Sequence, residues 1–126
     1  MEGFTLHKEE RLCSQKLIEE LFTSGDSFLS YPLKVVFLKT ELPQPQPVQA
    51  AFTVSKRNFK RAVKRNLLKR RIREAYRLNK PAFYQEIAAK ELHLAIMFVY
   101  IGKDIAEFPV IEKAMISAFK KVLGKV

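Results

Sequence analysis

The sequence predicts an α+β sandwich of a helix, two or three strands, a helix, a strand and a helix. With the candidate edge strand counted, the order is αβββαβα, with helices packed on a central mixed four-stranded sheet. Three observations lead there. Segments with apolar residues at three- and four-residue spacing are interspersed with short runs rich in Val, Phe and Tyr. One run, Leu94 to Ile101, is apolar over 8 residues, which suits a buried central strand and is far too short to span a bilayer. At 126 residues and 48% hydrophobic content the chain reads as one domain, 1–126, with a modest core.

Residues 1–8 read as an extended lead-in. Glu9 to Ser24 predicts the first helix, because Leu17, Ile18, Leu21 and Phe22 share one face and Gln15, Lys16, Glu19 and Glu20 the other. Gly25 supplies its stop. Ser27 to Tyr31 is a candidate short edge strand before Pro32. Leu33 to Lys39 (LKVVFLK) is a strand by its β-branched and aromatic content. Thr40 to Gln49 carries three prolines at alternate positions, which excludes a central strand and predicts a long hairpin loop. Ala50 to Lys56 is the next strand. A helix then starts within Asn58–Lys60 and runs to about Asn79, where Lys80-Pro81 is expected to stop it. Ala82 to Glu91 reads as a helical extension or a short separate helix, and Leu92 to Tyr100 as the buried strand. The last helix covers about Pro109 to Leu123, with Val110, Ile111, Ala114, Met115, Ala118, Phe119 and Val122 on its apolar side.

Charge points to a polyanion. The net charge is +10, and Ser55 to Lys80 holds 12 of the 23 Lys and Arg residues against one acid, Glu74. On a helix, Leu68, Ile72 and Ala75 fall on one side. Arg65, Asn66, Lys69, Arg70, Arg73 and Arg77 fall on the other, within an arc of roughly 140°. A merely solvated helix face would mix Glu with its Lys for i,i+4 pairing, and that mixing is absent. Lys56, Arg57 and Lys60 add charge at the base of the helix. Arg grips phosphates bidentately, Lys acts as a point charge, and Asn66 offers both donors and acceptors to a ribose or a base edge. Phe22, Tyr31, Phe37 and Phe52 are interleaved elsewhere and are candidates for stacking on single-stranded nucleic acid or for the core.

No protein active site is legible. The sequence has no P-loop, Gly-rich nucleotide turn, zinc spacing or nucleophile motif. His7 and His93 read as exposed or structural, and Cys13, the single cysteine, as a small packing residue. One cysteine excludes an internal disulfide, and no secretory signal is visible, so a cytoplasmic protein is expected. No catalytic and no metal-ligating residue is assigned.

The basic segment resembles the bacterial ribonuclease P protein component. That family has a strand ending in Ser-Lys-Lys or similar, then Ala-Val, then a helix of the form RNRxKRxxRE. Here Val54-Ser55-Lys56-Arg57, Ala62-Val63, Arg65-Asn66, Lys69-Arg70 and Arg73-Glu74 stand at matching spacing. The N-terminal Leu-x-x-x-x-Arg-Leu region and the helix ending in Phe22-x-x-Gly25 are similar too. Leu67 departs from the family, which usually has a basic residue there; it lies between the two helix faces. The resemblance implies a subunit bound to a large catalytic RNA that releases the 5′ leader of precursor tRNA. It implies that the RNA carries the chemistry with its magnesium ions, none held firmly by the protein. It maps RNA binding onto Lys56, Arg57, Lys60, Arg65, Asn66, Lys69, Arg70, Arg73 and Arg77. The leader is expected in a cleft with Ile18, Phe22 and Phe37. A left-handed βαβ crossover, against the usual handedness, and a monomer in a 1:1 ribonucleoprotein are expected as well.

Two other classes fit the composition: a structural RNA-binding protein of ribosomal type, and a DNA-binding regulator. Against the latter, the charged face offers few residues suited to base readout. An anionic membrane surface would also attract the charge, but no span is present in the sequence.

Overall fold

A computed structural model of the chain describes residues 10–12, 14–40 and 47–126. His7, Cys13 and most of the proline-rich stretch lie outside the described residues. The elements are α1 (Gln15–Ser24), β1 (Asp26–Ser30), β2 (Leu33–Lys39), β3 (Val48–Val54), α2 (Ala62–Ala89), β4 (Leu94–Tyr100) and α3 (Phe108–Lys125). This is the αβββαβα order, and the sheet is mixed, with strand order β1-β2-β4-β3. β1 with β2 and β2 with β4 are antiparallel, whereas β3 with β4 is parallel. The parallel pair is joined by the crossover helix α2.

β4 takes the central place because its side chains are apolar on both faces, and only a strand covered on both sides can bury all of them. That placement overturns the hairpin expected across 40–49. β2 and β3 do not pair with each other; β4 lies between them. β3 also begins and ends two residues earlier than the sequence indicates, in register with β4 from Val48 opposite Leu94 to Val54 opposite Tyr100.

The sheet separates two cores. On one face Leu33, Val35, Phe37, Val48, Leu94, Ile96 and Phe98 pack under α2 and α3. Tyr76 and Phe119 meet Phe98 edge-on, with ring centroids 5.6 and 6.3 Å away. On the other face Leu17 and Leu21 of α1 cover Val36, Ala95 and Met97. α1 starts later than expected, because Ser14 caps it by accepting from the Leu17 N–H at 3.3 Å. Before that cap, Arg11 bridges in parallel to Ala50, and the Leu12 N–H donates to the Ala50 carbonyl. Arg11 and Leu12 thus lie along the outer edge of β3. The backbone turns to an extended conformation at Gly25, which caps α1, and only glycine fits there: a Cβ would run into the Leu21 carbonyl oxygen.

Pro81 does not stop the basic helix. α2 is continuous over 28 residues, about 42 Å. Proline removes one i→i−4 bond and costs about 3 kcal/mol in a helix interior. Packing past that point outweighs it. Phe83 stacks on Phe119 at 4.3 Å, Ile87 is fully buried, and Asn79 bonds both the Ala75 carbonyl and Glu112 of α3. Lys80 is buried as well, its ammonium 2.6 Å from the Glu10 carboxylate of the N-terminal segment.

Candidate nucleic-acid interface

α2 splits along its length much as its sequence spacing predicts. Leu68, Ile72, Ala75 and Tyr76 are buried against the sheet. Asn66, Arg70 and Arg73 are exposed, and Lys69 and Arg77 are half-exposed. The positions from Val63 through Asn66, Arg70 and Arg73 to Arg77 follow 3–4 spacing over about 21 Å of helix. Lys56, Arg57 and Lys60 stand exposed in the turn that leads into the helix. That turn is pinned by Phe59, which is buried edge-on against Tyr100 at 5.8 Å. The buried anchor delays the helix start to Ala62 and leaves the flanking cations outside.

Two of the expected RNA-binding arginines have partners within the protein. Arg65 donates to the carbonyls of Phe59 and Lys60, both at 2.8 Å, so it fixes the turn that carries Lys56 and Lys60. Arg77 is ion-paired with Glu74 one turn before it. The Arg77 guanidinium beside Glu74 holds that carboxyl below the usual carboxylate range, so the pair is charge-compensated at neutral pH. The uncompensated set along the helix is therefore Lys69, Arg70 and Arg73, with Asn66 among them.

The sequence reading named Lys60 but left out the cations around it, Arg61, Lys64 and Lys103. Lys60, Arg61 and Lys64 at the start of α2 face Lys103 across an open recess of about 430 Å³, with Asp104 the one acid in its lining. Arg61 caps the helix without a side-chain bond and no acid lies in the first turn, so the positive end of the helix dipole adds to the cations. Lys103 is far away in sequence; only the loop between β4 and α3 brings it here. Arg71, set apart from the charged face by its spacing, donates to the Ala106 carbonyl at 2.6 Å and holds that loop against α2.

On the opposite face of the sheet, Ile18 is half-buried and Phe22, four residues on, is 62% exposed. Leu38, Ala51 and Val99 of the sheet are half-buried around the same core. Phe37 does not join them. It is 3% exposed and points to the α2–α3 side, with the Phe28 ring edge-on at 6.1 Å. Side chains alternate across a strand, so the β2 residue facing α1 is Val36. Phe37 therefore leaves the cleft set. Phe52 is likewise core, stacked on Phe98 at 5.8 Å.

Among the described residues no group of three or more His, Cys, Asp or Glu side chains is placed to hold a metal ion. Among the same residues, no helix is long and apolar enough to cross a membrane.

The family model for ribonuclease P matches residues 6–123. The chain belongs to the ribonuclease P protein family. A ribonuclease P protein component from Porphyromonas gingivalis is 34% identical over 123 residues, covering 98% of this chain and 90% of the relative. One from Chlorobium phaeobacteroides is 40% identical over 106 residues, covering 78% and 73%. The solved ribonuclease P proteins of Staphylococcus aureus and Thermotoga maritima have the same fold. The first superposes with a TM-score of 0.71 at 18% identity, over 90% of this chain and 94% of that one. The second has a TM-score of 0.70 at 21% identity, over 89% and 96%. The chain is thus a subunit of ribonuclease P, an endoribonuclease of tRNA processing.

Proposed function

We propose that this ribonuclease P protein binds the catalytic RNA through α2 and takes the 5′ leader of precursor tRNA between α1 and the sheet, assisting magnesium-dependent removal of the leader. The domain is the RNA-binding unit of a cytoplasmic 1:1 ribonucleoprotein. The observation that carries the reading is the one-sided face of α2: Asn66, Lys69, Arg70 and Arg73 over an apolar side sealed in the core. Such a face neutralises phosphates at fixed spacing, and each neutralised phosphate releases counterions. The magnesium ions are held by the RNA and do the chemistry; the protein lowers the concentration needed by offsetting phosphate repulsion. Ile18 and Phe22 offer the leader an apolar surface open to solvent.

The test is precursor-tRNA cleavage by a bacterial ribonuclease P RNA at low magnesium, with and without the protein. Cleavage should be restored by the wild type. The Arg70→Ala/Arg73→Ala double variant should need a higher protein concentration and show a shallower salt dependence, by about two units. No restoration with the RNA demonstrably bound would reduce the protein to a structural RNA-binding role.

A further inference from the structure

We propose that the groove between the free edge of β1 and α3 is a second RNA contact, which takes a single-stranded segment of the same RNA that α2 grips. The inference rests on the reading of α2 as an RNA-binding helix. It starts from a side chain that neither the core nor the leader cleft accounts for. Of the four aromatics interleaved outside the basic segment, Phe37 is core, Phe52 is packed against it, and Phe22 is on α1 at the proposed leader cleft. Tyr31 is 71% exposed, in the turn between β1 and β2.

Tyr31 stands at the mouth of an open groove of about 520 Å³, with Leu29, Val110, Lys113, Ser117 and Lys121 along its walls. No residue lining it is acidic. An exposed ring with two ammonium groups and no carboxylate is the arrangement that stacks a base and neutralises its backbone. Lys113 and Lys121 are two turns apart on α3, about 12 Å, which spans roughly three nucleotides of one strand. Lys121 also donates to the Leu29 carbonyl at 3.0 Å, with the ammonium 5.6 Å from the Phe28 ring centroid. A lysine bonded onto the strand edge blocks the addition of another strand there. That disfavours a peptide or a second copy and leaves the basic rim for a polyanion.

The groove and the α2 interface open at the same end of the sheet. Leu33 and Val54 both pair with Tyr100, so the Tyr31-Pro32 turn and the Lys56-Arg57 turn leave the sheet at the same end. Between them runs the loop from β4 to α3, held by the Ile101 N–H on the Pro32 carbonyl and by Arg71 on Ala106. Lys103 of this loop faces Lys60 and Lys64 across the cationic recess. A strand leaving the first turn of α2 therefore reaches Tyr31 and Lys113 by crossing this loop, where Lys103 stands beside the exposed acids Asp104 and Glu107.

The experiment measures binding of the full chain to a bacterial ribonuclease P RNA across a salt series, for wild type, Tyr31→Leu, Lys113→Ala and Arg73→Ala. Both groove positions are exposed, and circular dichroism checks that each variant is folded. Tyr31→Leu should weaken binding by about 5- to 100-fold, the loss of one stacked base. Lys113→Ala should lower the salt slope by about one unit. If both behave as wild type while Arg73→Ala weakens binding, the groove assignment is overturned and the α2 reading stands. If Arg73→Ala is silent too, both readings fall. If Tyr31→Leu instead dissolves a dimer seen by sedimentation, with RNA affinity unchanged, the groove is a self-association face and the assignment is wrong.

Discussion

Removing one carboxylate should cost this protein a large part of its stability. Glu10 and Lys80 are each 3% exposed at the side chain and 2.6 Å apart. Lys80 also lies 5.4 Å from the centre of the Tyr84 ring, whose hydroxyl is paired with that of Tyr76 at 2.7 Å. Burial pushes the Tyr76 and Tyr84 phenols far up, so neither supplies a second anion to replace Glu10. Glu10→Ala therefore leaves an ammonium in the interior without its carboxylate, at a cost of about 3–5 kcal/mol. Total stabilities of domains are about 5–15 kcal/mol, and for this chain length each kcal/mol moves the melting temperature by roughly 3–5 °C. A drop of about 10–20 °C is expected. Urea unfolding followed by circular dichroism gives the free energy directly, and the slope m reports whether the native state has opened. The companion variant Glu10→Leu/Lys80→Met removes both charges while keeping the volume filled, and should recover most of the loss. A single-variant cost below about 1 kcal/mol would mean that water reaches the pair and that it does not anchor the N-terminal segment. A double variant as unstable as the single one would refute the reasoning differently, by tracing the loss to packing and not to an unpaired charge.

Phe22→Ala should weaken binding of precursor tRNA only when a leader is present, and leave the melting temperature nearly unchanged because the ring is mostly in water; titration of substrates with and without leaders distinguishes this. Phe37→Ala should do the reverse, losing about 3–5 kcal/mol in urea unfolding with no leader-specific effect, since its ring is enclosed on the other face. Pro81→Ala should stabilise the protein by about 1–3 kcal/mol through the restored helix bond, read as a higher urea midpoint; an unchanged or lower midpoint would mean that proline carries no such cost at this position of α2. Arg65→Ala should weaken RNA binding more than loss of one phosphate contact does, because its two carbonyl bonds hold the turn bearing Lys56 and Lys60; an effect on affinity and salt slope equal to that of Arg73→Ala would contradict that role.

Much of this molecule follows from local chemistry. Spacing alone separates Leu68, Ile72 and Ala75 from Asn66, Arg70 and Arg73, because a helix rotates about 100° per residue whatever it packs against. The Ser-Lys-Arg strand end, the Arg-Asn step and the long apolar run of β4 are equally local, and they suffice for the family and the order of elements. What the sequence by itself does not determine is which strand lies beside which, and which side of a strand meets which helix. Proline content hid the insertion of β4 between β2 and β3, since the flanking strands look like a hairpin until a more apolar strand competes for the centre. Phe37 and Val36 are neighbours in sequence, both apolar, and only the packing of α1 on one face decides which of them borders the proposed leader cleft. Pro81 reads locally as a stop, and the Phe83–Phe119 stack across two helices outweighs it. Charge was legible as a total but not as a distribution. Glu74 compensates Arg77, Arg65 turns inward, and Lys103 joins Lys60 and Lys64 from 39 residues beyond the latter. These are through-space Coulomb and hydrogen-bond relations, and they exist only once the chain has folded.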